Sequence, residues 1–304
     1  LRAGKAGRGS RRMSTTLSAR SDPGLGPLLA LGAMTSYQLC GALSMPLLAE
    51  IGAGATSSIR LATAALLLAV ITRPRLGSLP KGGLGPALLL GGALAGMTLC
   101  FFAAVARIPL GLVATIAFAG PLAVSTLCSR RPWHLACALL AATGVVLLVR
   151  PDEQGWVADL PGLLLAGGAA FFWGLYIVFT KQVGAAFSGL QGLSISLLVA
   201  AVIIAPVGLV EIRQWPSPLQ VAGAASLGLL SPLMTCGLEM IALRRMGARP
   251  FGILMSIEPA IGVAIGHSLL GQQPSLAQMT GVTCVIVASA GAVLLGDRES
   301  AMSA

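Results

Sequence analysis

The chain has 304 residues, of which 56% are hydrophobic and only 10% charged, with a net charge of +10. A soluble domain carries about a quarter charged residues, so a water-soluble enzyme or scaffold is excluded and the apolar blocks read as membrane spans. The basic residues sit at block ends and in one N-terminal tail rather than along a soluble face, which argues against nucleic acid as a partner.

Residues 1–26 hold Arg2, Lys5, Arg8, Arg11, Arg12 and Arg20 and are expected to form a disordered basic cytoplasmic tail. The chain opens on Leu, which makes Met13 a candidate start. No small-residue cleavage site follows the first apolar run, so a signal peptide is not expected. Ten spans are predicted, at 27–48, 56–72, 84–106, 109–128, 133–150, 161–180, 188–210, 219–243, 250–270 and 275–295. Each has roughly the length needed to cross about 30 Å of hydrocarbon. The polar stretch 151–160 is the expected outer linker between a first five-helix half, 27–150, and a second, 161–296. Residues 297–304 are expected to be a cytoplasmic tail.

Two hairpins repeat at a constant offset. Arg107 matches Arg245 and Pro121 matches Pro259, each pair 138 residues apart. An odd number of spans separates the copies, so the second is expected to be inverted, and matched interrupted helices in inverted halves point to a secondary transporter. Pro121 and Pro259 are the expected helix breaks. With the N-terminus inside, sixteen Lys and Arg fall on the cytoplasmic side and three (Arg107, Arg150, Arg213) outside. Both termini are therefore expected in the cytoplasm of a multi-pass protein.

Few polar side chains lie inside the spans, so each is a functional candidate. Glu258 falls about 12 Å into the ninth span at 1.5 Å per residue. Pro259 next to it frees the carbonyl of Met255, which makes a site for an ammonium group or a proton, with helix–helix pairing as the alternative. Glu239, nearer Arg244 and Arg245, is either a second proton-coupling carboxylate or half of an interfacial ion pair. Arg60, counted as four residues into the second span, either snorkels to the outer interface or draws a substrate carboxylate. Gln38 and Trp173 fall at equivalent places in the two halves. Gln38 offers hydrogen bonds; Trp173 and Tyr176 form either a stacking wall or ordinary packing. Thr98, Ser194, Ser196 and Ser256 either line a cavity or bond back to their own helices. The six cysteines lack metal or disulfide spacing and are expected to pack as small hydrophobes. No metal or cofactor is expected, and no Ser-His-Asp, HExxH or Walker pattern occurs, so the chain does not read as an enzyme.

The apolar region, roughly 27–296, resembles the drug/metabolite transporter superfamily, built from two EamA-type repeats, and within it the bacterial threonine/homoserine exporters. The resemblance is carried by Ser57-Ser58-Ile59-Arg60-Leu61-Ala62, by Ile108-Pro109-Leu110-Gly111 with Gly120-Pro121-Leu122-Ala123-Val124, and by Ser129-Arg130-Arg131-Pro132. Most specific are Leu238-Glu239-Met240-Ile241-Ala242-Leu243 and Phe251 to Ala260. It implies an all-α polytopic fold of ten helices in two inverted five-helix repeats. It also implies export of small amino acids or related metabolites across the bacterial inner membrane, coupled to protons. The chain departs from that pattern at Ala117, at Thr98 and Leu99, at Thr235-Cys236-Gly237 and at Gln272, where such exporters are more polar or aromatic. Two readings compete with this one. The first is an exporter of drugs, nucleosides or other uncharged metabolites, and the second is a membrane sensor or scaffold that transports nothing.

Overall fold

The computed structural model describes residues 24–74, 82–127, 132–149, 159–187, 190–212, 215–246 and 248–302. The expected basic tail, the 130–131 arginine pair and the linker before Asp159 lie outside the described residues. All regular elements among those described are helical. α1 (Leu25–Ile51), α2 (Ala53–Thr72), α3 (Leu84–Val105), α4 (Leu110–Leu127) and α5 (Pro132–Val149) precede the linker. After it come α6 (Leu160–Ala186), α7 (Gln191–Glu211), α8 (Pro218–Gly228), α9 (Thr235–Met246), α10 (Ala248–Met255), α11 (Glu258–Leu270) and α12 (Leu276–Met302). Seven spans among the described residues are long and apolar enough to cross a membrane, and Leu110–Val124 and Leu276–Ala292 are shorter apolar helices. The spans carry no amphipathic stripe, because lipid on one side and protein on the other are both apolar.

The eighth and ninth predicted spans are each broken. Between α8 and α9 lies a wide π-type segment, Leu229–Met234, in which Ser231 is extended at φ −150°, ψ 128°. Pro232 removes a backbone donor there. Between α10 and α11 the chain closes two tight turns, Ser256 N–H to the Ile253 carbonyl and Ile257 N–H to that of Leu254. Pro259 is the second residue of α11, where a missing N–H costs nothing. Pro121 behaves differently from the expectation: α4 runs through it without interruption. The reason is packing. A side chain on Gly120 would meet the Ala170 carbonyl of α6, so this Gly-Pro pair is pressed against its neighbour along an intact helix. The tail expected at 297–304 is helical as far as Met302, as a continuation of α12.

Helix ends are tied by polar links on what the span order makes one side of the molecule. The Gly54 N–H donates to Glu211 Oε2 at 2.6 Å, closing the N-terminus of α2 with the end of α7. The Leu110 N–H donates to Gln272 Oε1 at 3.2 Å, so Gln272 caps α4 and borders a small cavity of about 20 Å³ beside Pro109 and Gly111. Gln220 donates to Glu50 at 2.8 Å, and Arg107 pairs with Asp159 at 3.0 Å. This last pair is half exposed and contributes little. On the opposite side Gly26 lies against Arg245 and Met246, bringing the start of α1 to the end of α9. Between these two layers α1, α2, α3, α6, α9 and α11 surround a central space.

Candidate functional site

The central space is a cavity of about 70 Å³ whose wall is largely apolar and carries three charged side chains, Arg60, Glu239 and Glu258. Helical spacing aims the wall residues. In α3, Leu94, Thr98 and Phe102 recur every four residues and Met97 fills the gap between them, so all four share one face. In α6, Trp173 and Tyr176 are one turn apart, and in α9 so are Cys236 and Glu239.

Arg60 does not snorkel outward. α2 begins at Ala53, which makes Arg60 its eighth residue, and the side chain is only 2% exposed. Its Nη2 donates to the Ser231 carbonyl at 3.1 Å, a group the extended backbone of Ser231 leaves outside any helical ladder. The guanidinium carbon lies 3.8 Å from the ring centroid of Phe102, a cation–π contact that offsets part of the desolvation. Gly228, without a side chain, lets α8 lie directly on the Arg60 backbone. Among the described residues Nε and Nη1 have no hydrogen-bond partner. The guanidinium thus keeps unused N–H donors on both of its carboxylate-matching edges, Nη1 with Nη2 end-on and Nε with Nη2 side-on.

Glu258, the first residue of α11, is 3% exposed. Its position at a helix N-terminus favours negative charge there. Gln38 Nε2 donates to Glu258 Oε1 at 3.2 Å. Oε2 of Glu258 and Oε1 of Gln38 are buried without a partner among the described residues. Glu239 lines the cavity as well, and the only ion pair among the described residues is Arg107 with Asp159. A charged side chain at the centre of a membrane helix costs about 2.5–3.5 kcal/mol on insertion scales. Three such groups surround one small cavity, and two of them, Arg60 and Glu258, have hydrogen-bonding atoms without a partner among the described residues.

Thr98, Trp173 and Tyr176 also face this cavity, as the sequence suggested, and Trp173 is wedged between Phe118 at 5.8 Å and Tyr37 at 6.5 Å. Gln38 takes part through Glu258. Ser256 does not: its hydroxyl donates to Gly252 O and to Ser289 Oγ at 2.9 Å, holding α10 to α12. Ser196 bonds back to Gly192 O at 3.0 Å, and Ser194 is buried. Of the departures from the exporter pattern, Thr98, Thr235 and Cys236 line the cavity, whereas Ala117 packs in the core.

Sequence reasoning missed Tyr37, Phe102, Ser231 and Cys236. The available signals were a Ser-Pro pair inside an apolar run and Tyr37 beside Gln38, one of only two tyrosines.

A second cavity, of about 300 Å³, adjoins the first and is lined by α3, α6, α7, α9 and α10. Among the described residues, no group of three or more His, Cys, Asp or Glu side chains is arranged to hold a metal ion.

The EamA-like transporter family matches residues 160–294. The threonine/homoserine exporter RhtA of Salmonella typhimurium (strain LT2) is 34% identical over 274 residues, covering 90% of this chain and 92% of that protein. RhtA of Escherichia coli (strain K12) is 34% identical over 275 residues with the same coverage. The chain belongs to the EamA-like transporter family. Within the drug/metabolite transporter superfamily it is an EamA-type, multi-pass membrane protein. A solved structure described only as the crystal structure of a protein covers 90% of this chain and 98% of its own, with a TM-score of 0.58 and 19% identity. That likeness speaks for the fold alone.

Proposed function

We propose that this chain exports small amino acids, threonine- or homoserine-like, or related metabolites, from the bacterial cytoplasm by proton-coupled alternating access. The observation that carries the reading is the pair of unsatisfied, oppositely charged side chains on one cavity wall, Arg60 and Glu258. A zwitterionic amino acid supplies a partner for each: its carboxylate for unpaired N–H groups of Arg60, its ammonium for Oε2 of Glu258. The small cavity suits a short side chain, set against Trp173 and Phe102. The similarity to exporters named for threonine and homoserine supports the same class of substrate.

Coupling follows from competition. Glu258 holds either a proton or a substrate ammonium, so release of one outside is matched by capture of the other, and proton entry drives export. Alternating access is supported by the pattern of helix packing. Two apolar repeats of five spans, with the ninth and eighth spans each counted across its break, pair α1 with α6, α2 with α7, α3 with α8–α9, α4 with α10–α11 and α5 with α12. The contacts come in matching sets: α3 on α6 with α1 on α9, α3 on α7 with α2 on α8, α4 on α6 with α1 on α11. α2 on α7, α4 on α11 and α5 on α12 each join a helix to its own counterpart. Such pairing is what a twofold axis in the membrane plane produces. The Lys and Arg bias orients both termini to the cytoplasm.

The test is uptake of radiolabelled L-threonine into inside-out vesicles carrying the protein, with a pH gradient acid inside. Accumulation that collapses with the gradient is expected. No accumulation of threonine, homoserine or any related amino acid would sink the reading. An uncharged substrate is disfavoured because it would leave both charges unpaired.

A further inference from the structure

The central cavity and the larger one share three wall residues, Tyr176, Cys236 and Glu239. Tyr176 of α6 and Cys236 of α9 stand together in this wall and face both cavities. Beyond it, the larger cavity follows α6 from Tyr176 to Phe187, about 16 Å of helix. It therefore extends toward the end of the molecule opposite the Arg107–Asp159 pair. Its other walls include Leu90, Val183, Leu193 and Phe251. Among its described lining residues Glu239 is the one carboxylate and none is a cation.

Resting on the amino-acid reading above, we infer that this larger cavity is a cytoplasmic vestibule with its own binding station: Glu239 takes the substrate's ammonium group before Glu258 does, and the shared wall at Tyr176 and Cys236 is the gate between the two. An ammonium group moving from water to apolar walls needs a counter-charge, and Glu239 supplies it on the vestibule side while also facing the central cavity. Arg60 lines only the central cavity, so the carboxylate end is recognised after the gate. The vestibule thus selects for an amine and the centre for an amine with a carboxylate. A small primary amine without a carboxylate is expected to occupy the vestibule and obstruct transport without being carried.

The thiol of Cys236 reports on the gate. Inside-out and right-side-out vesicles of the native chain are treated with a membrane-impermeant methanethiosulfonate, and modification at Cys236 is quantified by peptide mass spectrometry. The probes are L-threonine, 1-amino-2-propanol (threonine without its carboxylate) and 3-hydroxybutyrate (threonine without its amine). Cys236 is expected to react from the cytoplasmic face only. The amine is expected to slow the reaction several-fold, and 3-hydroxybutyrate to leave it unchanged. Glu239→Gln removes the amine's protection, Glu239→Asp retains part of it, and Glu258→Gln leaves it intact. Reaction from the outer face at an equal rate, or none from the inner face, overturns the gate. Protection that survives Glu239→Gln and disappears with Glu258→Gln, or equal protection by the hydroxy acid, overturns the station. Protection by the amine without protection by threonine retains the station and removes the amino-acid reading instead.

Discussion

Gln38 and Glu258, 220 residues apart, meet at 3.2 Å, with the amide Nε2 donating to one carboxylate oxygen and the other oxygen left open. The contact fixes the carboxylate of a short half-helix against the first span of the chain. One oxygen is held and one is offered, which is the arrangement a site needs if it is to exchange a proton for an ammonium group.

Replacing Glu258 with Gln keeps the shape and the contact to Gln38 while removing the charge. The variant is expected to insert and fold, and to lose the dependence of threonine flux on an imposed pH gradient. Flux measured in vesicles over a series of gradients checks this; a variant that still follows the gradient fully would place proton exchange elsewhere, with Glu239 the next candidate.

Arg60→Lys retains charge and loses the fork. A hydrogen bond involving a charged group contributes about 1.5–3 kcal/mol, so the apparent affinity for threonine is expected to fall by about 10–150-fold. The affinity for 1-amino-2-propanol, which has no carboxylate, is expected to change little. Competition for labelled threonine measures both, and equal losses for the two compounds would mean that Arg60 is a structural brace.

The two matched prolines are expected to answer differently to substitution. Pro121→Ala adds a donor to a helix that is already continuous, and transport is expected to stay close to native because there is no break for the substitution to close. Pro259→Ala allows α10 and α11 to merge through Ser256 and Ile257, which carries Glu258 away from Gln38. Transport is expected to fall markedly with expression unchanged. Native rates for both variants would remove the break at α11 from the mechanism.

Gly120→Ala tests the packing that keeps α4 intact. The new methyl meets a backbone carbonyl of α6, which cannot move aside as a side chain would. A loss of about 1–3 kcal/mol, typical of overpacking, is expected to appear as a lower unfolding temperature in detergent. An unchanged temperature would show that α4 and α6 separate easily.

A reporter active only outside the membrane is expected to give signal when fused at residue 155 and none at residue 247. The reverse pattern would overturn the orientation drawn from Lys and Arg.

The helices themselves were legible, because long apolar blocks between Gly, Pro and charge leave little choice in a bilayer. Predicted and observed spans agree within a few residues over most of the chain. Depth was the weak point. Counting α2 from residue 56 put Arg60 near an interface, whereas a start at Ala53 moves it a full turn deeper, onto Phe102 and Ser231. Direction around a helix was equally hidden in uniformly apolar spans: nothing distinguishes the face of Ser256, which meets Ser289, from that of Glu258 two residues later, where the chain turns between them. The constant offset between Pro121 and Pro259 did not carry over into conformation, since what a proline does depends on the neighbours that hold its helix straight.

Among the described residues, α1 to α5 are uninterrupted, and both internal breaks, at Ser231 and at Ser256-Ile257, fall after the linker. The consequence is a division of labour between the helices before the linker and those after it. The first supplies a stiff frame carrying the guanidinium; the second is jointed, and it bears the two carboxylates, one beyond each joint. A machine jointed on one side only would open its two mouths by unlike movements, so substitutions that stiffen the second half should slow one direction of opening more than the other.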